Sequence, residues 1–306
     1  MIYIAVCLDE NYVMPTTVML NSLGINKGNE LVTVFSISEK PLSEQSKVIL
    51  KNTCHNYDMS ITFLNYNISG KDKFQNLQTT RWSLAAYLKL YLADIIPISI
   101  DKVLFLDGDM IVRHSLCDLW NTDICDVAIA GCPDADEFNP LIEKTIFYDH
   151  KKYGYINTGV FLMNLNYHRK NNICAKYDNF IVENYSNIGY VDQDVVNNIL
   201  FSAKKILNVK YNIHFANYII KSRNYKTTSK KEKHEAYKDP VIVHFTGGFK
   251  PWHKWCCHPY SREWDRYQKL SYFYKYKKKN KVYGLKLLKT IIHYYIIKPF
   301  NQLRYL

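Results

Sequence analysis

The chain has 306 residues, of which 47% are hydrophobic and 22% are charged, close to the average of globular proteins. A chain of this length and composition buries a sizeable core, which excludes intrinsic disorder, a collagen-like repeat and a disulfide-stapled miniprotein. No apolar run approaches the roughly 20 residues of a membrane-spanning helix, and Asp9 interrupts the first apolar segment. Neither a transmembrane helix nor a signal peptide is therefore expected.

The net charge of +12 is distributed very unevenly along the chain. Between Arg266 and Leu306 there are 11 basic residues and no acidic residue, whereas residues 1–265 hold 29 basic and 28 acidic groups. The sequence thus predicts an electrically balanced body over 1–265 and a basic, aromatic tail over 266–306 that favours an anionic partner. The eight cysteines include no C-x-x-C pair, so free thiols in a reducing cytoplasm are expected rather than a zinc ribbon.

Short apolar runs alternate with segments of helical spacing in the first third of the chain. Strands are predicted at Ile2–Leu8, Leu31–Ser38, Ile61–Tyr66 and Val103–Leu106, and helices at Thr17–Leu23, Ser43–Asn52 and Ser83–Leu92. This alternation predicts an α/β fold with a mostly parallel, doubly wound sheet. Ligands bind beyond the carboxyl ends of such strands, a rule that indicates Asp9 and Asp107.

The second half of the chain has a less regular pattern. Strands are predicted at Val127–Ala130, Gly159–Leu165 and Val241–Phe245, helices at Tyr167–Tyr185 and Asp192–Leu200, and a lysine-rich loop at Thr227–Lys233. No internal repeat is present.

The first segment with chemical potential is LFLDGDMIV. Asp107 and Asp109 are two residues apart and point the same way in an extended chain, and Gly108 between them allows a ligand to approach the backbone. Two carboxylates on one side suit a hard divalent cation. The pattern is equally typical of a strand-ending turn with two solvated acids, and the residues alone leave both interpretations open.

The second segment is VIVHFTGGFKPWHKW. His244 ends a predicted strand and could complete a metal site begun by the aspartates, a mixed set that tolerates Mn²⁺ better than Mg²⁺. Gly247 and Gly248 make a tight turn whose backbone N–H groups can cradle phosphate, with Lys250 adding positive charge. The alternative is a capped strand, a glycine turn and a surface lysine.

The third segment combines YINTGVFLMNL with VDQD. Asn157 and Thr158 precede the predicted strand, and Asp192, Gln193 and Asp194 open a predicted helix. The helix dipole explains why acidic residues such as Asp192 and Asp194 occur in the first turn of a helix, but it does not explain Gln193.

Together these segments resemble the bacterial members of glycosyltransferase family 8, closest to retaining galactosyl- and glucosyltransferases of lipooligosaccharide synthesis. Seven motifs occur in the family's order over residues 1 to about 260: CLDENY, SLAAYLKL, KVLFLDGD, AGCPD, YINTGV, YVDQD and HFTGGFKPWH. The resemblance implies a GT-A catalytic domain, a mostly parallel mixed sheet flanked by helices. It also implies a UDP-sugar donor, Mn²⁺ with Mg²⁺ as the alternative ion, and a saccharide acceptor.

The resemblance also implies roles for individual residues. The metal would be held by Asp107, Asp109 and His244, and the uridine would be contacted by Cys7, Asp9 and Asn11. At the phosphates would lie Lys89, Gly247 and Lys250. The sugar would be lined by Asn157, Asp192 and Gln193, and the acceptor would lie near Asp134. Lys89 stands where relatives often have arginine, which removes a bidentate phosphate grip. Cys7 replaces a smaller residue, so its base contact would be made by the backbone.

An amide is a poor nucleophile, so Gln193 beside the reacting carbon favours front-face transfer, in which the departing phosphate oxygen helps to deprotonate the acceptor. Asp192 is the candidate if a double displacement operates. The expected product is α-linked, and the expected location is the cytoplasmic face of the membrane, with a lipid-linked surface glycan as acceptor. In the tail an apolar stripe lies beside lysines and predicts an amphipathic helix on an anionic leaflet; it comprises Leu285, Leu287, Leu288, Ile291, Ile292, Tyr295 and Ile296. The alternative is that this stripe packs on the body as an ordinary terminal helix.

Other functions are weighed against this one. A haloacid-dehalogenase-type phosphatase also places D-x-D after a strand, but it needs a hydroxyl residue where this chain has Met110 and Ile111. The basic tail could bind nucleic acid, but the body's near-zero charge and the lack of a recognised motif disfavour a nucleic-acid-binding protein. A transferase of the same family that modifies a protein or teichoic acid stays open.

Overall fold

A computed structural model describes residues 1–68, 85–135, 140–214, 230–248, 250–254, 256 and 258–279. Its strands are β1 (Ile2–Cys7), β2 (Val32–Ser38), β3 (Met59–Asn65), β4 (Lys102–Leu106), β5 (Met110–Val112), β6 (Ile129–Pro133), β7 (Ile156–Asn164), β8 (Lys204–Ile206), β9 (Ile213–His214) and β10 (Ile242–His244). They form a seven-stranded sheet in the order β3-β2-β1-β4-β7-β6-β8 and a three-stranded sheet in the order β5-β10-β9.

The helices of the described residues occupy most of the segments between strands. They are α1 (Val13–Asn26), α2 (Glu44–His55), α3 (Ala85–Leu88), α4 (Leu92–Ile95), α5 (Cys117–Trp120), α6 (Pro140–Thr145), α7 (His150–Tyr153), α8 (Leu165–Lys170), α9 (Ile173–Asn184), α10 (Val191–Ile199), α11 (Lys230–Lys238) and α12 (Ser261–Lys269). Short 3-10 turns at Glu10–Tyr12, Lys89–Tyr91, Tyr185–Asn187 and Val209–Tyr211 connect them. In these parts of the chain, no helix is both long and apolar enough to cross a membrane.

The larger sheet is mixed and mostly parallel, which confirms the predicted fold class. Strand β1 pairs in parallel with β2 and β4, β2 with β3, and β6 with β8. Only β7 among the strands of this sheet runs antiparallel to its neighbours, β4 and β6.

Helices cover both faces of this sheet, and the central strands show why. In β4, Leu104 and Leu106 belong to the apolar cluster shared with α1 and α2, whereas Val103 and Phe105 belong to the cluster shared with α8, α9 and α10. All four side chains are fully buried, and burying each contributes roughly 1.5–3 kcal/mol. A strand buried on both faces has the continuous apolar sequence from which it was predicted.

The strand directions bring several chain segments to one edge of the sheet. The carboxyl ends of β1, β4 and β6 meet there, followed by Asp9, Asp107 and Asp134. Because β7 is antiparallel, its amino-terminal end, with Asn157 and Thr158, lies at the same edge. The expectation that Asp9 and Asp107 mark the ligand-binding edge is thereby consistent with the topology.

Three local predictions were wrong, and three short strands were missed. Strand β7 begins at Ile156, so Asn157 and Thr158 lie inside it. The helix predicted at 167–185 is two helices, because Asn172 adopts a left-handed conformation with φ of 50°. Residues 230–233, predicted as loop, open α11, while 227–229 lie outside the described residues. The short strands β5, β8 and β9 were not predicted.

The described part of the basic tail lies against the body. Helix α12 runs through position 266, and the Asn21 side chain in α1 donates a 3.0 Å hydrogen bond to the carbonyl of Tyr267. Phe273 packs on the main core, and the Lys278 ammonium lies 2.6 Å from Asp265. Residues 280–306, which carry the predicted apolar stripe, lie outside the described residues, so membrane association of the tail stays a prediction.

Candidate active site

A cavity of about 660 Å³ opens at the edge of the sheet where the polar residues gather. It is lined by all the site residues predicted from the sequence, namely Cys7, Asp9, Asn11, Lys89, Asp107, Asp109, Asp134, Asn157, Asp192, Gln193, His244, Gly247 and Lys250. Their individual roles stay predictions, but residues up to 243 positions apart share one chamber.

Two carboxylates and an imidazole converge on the floor of this cavity. Asp107 follows β4, Asp109 precedes β5, and His244 ends β10, which pairs with β5. The His244 Nε2 lies 3.2 Å from Asp109 Oδ1 and 3.7 Å from Asp107 Oδ2. One potential ligand atom from each residue lies within 4.8 Å of the others. This donor set, two oxygens and one nitrogen, fits a divalent cation of the Mn²⁺ type.

Two glycines at this cluster leave room that a side chain would fill. A Cβ on Gly159 would lie 2.2 Å from Cε1 of His244, so a side chain there would displace the ring. A Cβ on Gly108 would lie 2.3 Å from Oγ1 of Thr16 in α1. Gly108 lines the cavity as expected, but its lack of a side chain is also needed for packing against the helix.

Lys89 is a buried cation between two carboxylates. Its Nζ lies 3.0 Å from Asp107 Oδ1 and 3.3 Å from Asp192 Oδ2, and it donates a 3.1 Å hydrogen bond to the carbonyl of Thr158. Burial alone would lower the pKa of Lys89, but Asp107 and Asp192 outweigh burial and raise it. The side chain is therefore charged at neutral pH and compensates two acids at the cavity wall.

Lys250 provides a second cation, beside the carboxylate of Asp109. Its Nζ forms an ion pair with Asp109 Oδ2 and donates a 2.8 Å hydrogen bond to the carbonyl of Phe245. Burial would raise the pKa of Asp109, but Lys250 and His244 hold it far below its usual range. The preceding turn contains Gly247 with φ of 80°, a conformation that favours glycine.

The end of β1 forms a rigid turn at another wall of the cavity. The Asp9 carboxylate accepts hydrogen bonds from the backbone N–H of Asn11 and of Tyr12, at 2.9 and 3.2 Å, and thereby caps the 3-10 turn. Burial raises the pKa of the Cys7 thiol, so this side chain stays protonated and is no nucleophile.

A polar cluster at the start of α10 forms the remaining wall. The Gln193 Oε1 accepts a hydrogen bond from the backbone N–H of Thr158 at 3.3 Å, and its Nε2 donates to Asp134 at 3.0 Å. The Thr158 hydroxyl donates a 2.6 Å bond to Asp192. Because a backbone N–H can only donate, the amide of Gln193 has a defined orientation with its NH₂ group towards Asp134.

Asp194 has a larger role than the helix dipole suggested. Its carboxylate is fully buried and accepts hydrogen bonds from the Tyr155 hydroxyl at 2.6 Å and from the backbone N–H of Gly189 and of Tyr190 at 2.8 Å. These bonds hold the entry to α10, where Val191 adopts a positive φ of 29° that is costly for a β-branched residue. The clamp orients Asp192 and Gln193 towards the cavity.

Two buried residues at the cavity escaped prediction. His214 lines it from β9, where it is the register partner of His244 in β10. The available signal was the parallel between NIH at 212–214 and IVH at 242–244, each a short segment ending in histidine. Asn212 lies behind His244. It could not be predicted from the sequence, because a single asparagine forms neither a periodic pattern nor a spaced motif.

Comparison with known proteins shows what the chain is similar to. The sequence profile described as "Glycosyl transferase family 8" matches residues 3–256. General stress protein A of Bacillus subtilis is 28% identical over 270 residues, covering 87% of this chain and 92% of that protein. A lipopolysaccharide 1,2-glucosyltransferase of Escherichia coli K12 is 26% identical over 260 residues, covering 84% and 74%.

Solved structures show the same fold. The galactosyltransferase LgtC, in complex with donor and acceptor sugar analogs, has a TM-score of 0.77 at 22% identity and covers 94% of this chain and 100% of that chain. The glycosyltransferase GlyE of Streptococcus pneumoniae has a TM-score of 0.61 at 18% identity, covering 87% of this chain and 59% of that chain. The likeness confirms the expected GT-A fold.

Proposed function

This chain belongs to glycosyl transferase family 8, and we propose that it is a metal-dependent retaining hexosyltransferase that moves galactose or glucose from a UDP-sugar to a saccharide acceptor. The observation that carries the proposal is the convergence of Asp107, Asp109 and His244 within one cavity that also holds Gln193 and Asp134. Relatives named as lipopolysaccharide glucosyl- and galactosyltransferases support the donor and acceptor class.

Different residues of the cavity would bind different parts of the donor. Asp107, Asp109 and His244 would hold a divalent cation, which when bound stabilises the negative charge that develops on a departing diphosphate. Lys250 and the N–H groups of the turn at Gly247 add fixed positive charge on that side. Asp9 and Asn11 form a pre-ordered turn for the uridine, because the Asp9 cap already satisfies its backbone.

The sugar side of the cavity supports transfer without a covalent intermediate. Gln193 is neutral, and its amide is engaged by Thr158 and Asp134 on both ends. Asp192 accepts from the Thr158 hydroxyl and lies beside Lys89, so its charge is already compensated and its nucleophilicity is reduced. We therefore favour front-face transfer, with Asp192 as the nucleophile only if a double displacement operates. Asp134 would receive the acceptor.

The configuration of the product tests the retaining mechanism. We expect an α-linked product, the same configuration as in the UDP-sugar, because the YVDQD segment resembles that of retaining enzymes and because both front-face transfer and double displacement retain the configuration. The anomeric coupling constant of the new residue, measured by NMR, reports the configuration. A β-linked product would overturn the proposed role of Gln193.

The donor can be identified before the acceptor is known. We propose to measure release of UDP from UDP-galactose and from UDP-glucose, each with Mn²⁺ and with EDTA, in the absence of any acceptor. Slow hydrolysis of one donor, dependent on Mn²⁺, is the expected result. Hydrolysis of neither donor, or equal release in EDTA, would contradict the proposed activity.

We further propose that the enzyme acts at the cytoplasmic face of the membrane on a lipid-linked glycan. Leu270, Tyr272 and Tyr274 have more than half of their surface exposed, although they belong to a lysine-rich segment packed on the body. Interfacial aromatics beside lysines suit an anionic leaflet, where each lysine near the surface contributes about 1 kcal/mol. The 27 residues after Lys279 add four lysines and an arginine without an acid, and they would continue the same surface.

Deleting residues 280–306 tests this localisation. The cut leaves the contact between Lys278 and Asp265 in place, so the described body keeps its tail contacts. We expect the truncated protein to lose most salt-sensitive sedimentation with anionic vesicles and to retain hydrolysis of the UDP-sugar. Unchanged vesicle binding would contradict the proposal. A salt-sensitive affinity of the full chain for DNA equal to that for vesicles would favour the nucleic-acid alternative.

A further inference from the structure

The imidazole of His244 is held from behind by Asn212. This asparagine is fully buried, and its Oδ1 lies 3.0 Å from Nδ1 of His244, the ring nitrogen that faces away from the two aspartates. Its other amide atom, Nδ2, lies 2.8 Å from Oδ1 of Asn157. Asn212 therefore bridges the candidate metal ligand and a residue of the proposed sugar wall.

The direction of each hydrogen bond in this bridge follows from a single backbone group. The N–H of Gly159 donates a 2.9 Å bond to Oδ1 of Asn157, and because a backbone N–H can only donate, that atom is an oxygen. The same assignment lets Nδ2 of Asn157 donate to Asp134 at 2.9 Å. The Asn212 atom that meets the Asn157 oxygen must then be its NH₂ group, so the atom that meets His244 is its oxygen.

The direction of these bonds decides the tautomer of His244. With an oxygen opposite, Nδ1 must carry the proton, and in the neutral ring Nε2 then presents a lone pair. That lone pair lies 3.2 Å from a carboxylate oxygen of Asp109 and 3.7 Å from one of Asp107. With Nδ1 already protonated, Nε2 and the two carboxylates form a site that can take either a proton on Nε2 or a divalent cation in its place.

We propose that Asn212 is a positioning residue that fixes His244 as the Nδ1–H tautomer and thereby prepares the site for a divalent cation. A histidine ligand commonly donates its second ring N–H to an oxygen, and loss of such a partner costs about 10- to 100-fold in metal affinity. The inference rests on the proposed function, since it concerns the same metal site. The orientation originates at the Gly159 N–H, which acts through the buried amides of Asn157 and Asn212.

The amide bridge also connects the metal ligand with the sugar wall. Asp134 accepts hydrogen bonds from Asn157 and from Gln193 through the same oxygen, Oδ2. A continuous set of hydrogen bonds thus runs from His244 through Asn212, Asn157 and Asp134 to Gln193. Replacement of Asn212 would remove the first two links of this set, to His244 and to Asn157.

The experiment measures the tautomer and the metal affinity separately. In metal-free protein labelled with ¹⁵N-histidine, the wild type should show His244 protonated at Nδ1, with the signal assigned by its loss in His244→Gln. The near-isosteric Asn212→Leu variant should lose this preference and bind Mn²⁺ about 10- to 100-fold more weakly in a titration followed by electron paramagnetic resonance without donor. An unchanged tautomer with unchanged affinity in Asn212→Leu would overturn the inference.

Two further variants separate positioning from stability. Asn21 is another buried asparagine engaged at both ends, by Tyr57 and Tyr267, and does not line the cavity, so Asn21→Leu should lower thermal stability without altering Mn²⁺ affinity. If Asn212→Leu does not fold, Asn212→Asp keeps an acceptor for Nδ1–H and should retain the tautomer; a change to Nε2–H in it would overturn the inference. A wild type that shows the Nδ1–H tautomer but binds no Mn²⁺ would contradict the proposed metal site and leave the tautomer assignment supported.

Discussion

Replacing Asp107 or Asp109 with Asn, or His244 with Ala, is expected to reduce Mn²⁺-dependent UDP release by about 10³-fold or more while the fold stays intact. Each substitution removes one of the three groups that converge within 4.8 Å. Loss of a charged or imidazole ligand should cost several kcal/mol of transition-state stabilisation. Initial rates of UDP release measure the loss of activity, Mn²⁺ titrations measure the loss of metal binding, and thermal unfolding tests whether each variant stays folded.

A matched control variant separates the effect of losing a carboxylate in the site from the effect of losing any carboxylate. Asp118 is exposed in α5 and does not line the cavity, so Asp118→Asn should release UDP at the wild-type rate. Full activity of the wild type in EDTA, or wild-type activity in all three site variants, would show that the Asp–Asp–His set does not hold a catalytic metal.

The second large effect is expected for Lys89→Met, which should lower the free energy of unfolding by about 3–5 kcal/mol. Lys89 is nearly buried and lies between Asp107 and Asp192, so its removal leaves two acids close together at the cavity wall without their shared cation. Methionine fills a similar volume, which limits the contribution of lost packing. Urea unfolding at neutral pH measures the change.

The difference in stability between the wild type and Lys89→Met should depend on pH. Because Lys89 stays charged at neutral and acidic pH, the wild type keeps its ion pair with Asp107 until that carboxylate takes up a proton. Burial raises the pKa of Asp107, and in Lys89→Met the opposing charge of Lys89 is lost, so the difference in stability should be largest at neutral pH and shrink as the pH falls and this carboxylate takes up a proton. Lys89→Arg retains the positive charge and should lose less stability. A penalty independent of pH, or equal in both variants, would point to packing instead of charge.

Most of the larger sheet could be predicted from the sequence because its central strands are buried on both faces. A segment such as Val103–Leu106 must be continuously apolar to satisfy both helical layers, and that requirement is visible in the sequence. Two candidate site residues that directly follow such strands, Asp9 and Asp107, could be located by the same argument. The remaining site residues were recognised through ordered motifs, which identify a residue without describing its contacts.

The tertiary structure alone decided how these residues meet. Strands β5, β8 and β9 have three residues or fewer, too few for a periodic pattern, and they exist because distant partners such as β10 pair with them. The same long-range pairing brings His214 beside His244 and Asn212 behind it.

The sequence by itself therefore determined the fold class, the edge of the sheet that binds ligand and the identity of most residues there, since these depend on local periodicity and on motifs. Three features depend on partners in space: the charge state of Lys89, the clamp made by Asp194 and the tautomer of His244. Those partners lie from 4 positions away, for Tyr190 and Asp194, to 103 positions away, for Lys89 and Asp192. A hydrogen bond or an ion pair is defined by distance and direction in space, and neither can be obtained from the order of residues along the chain.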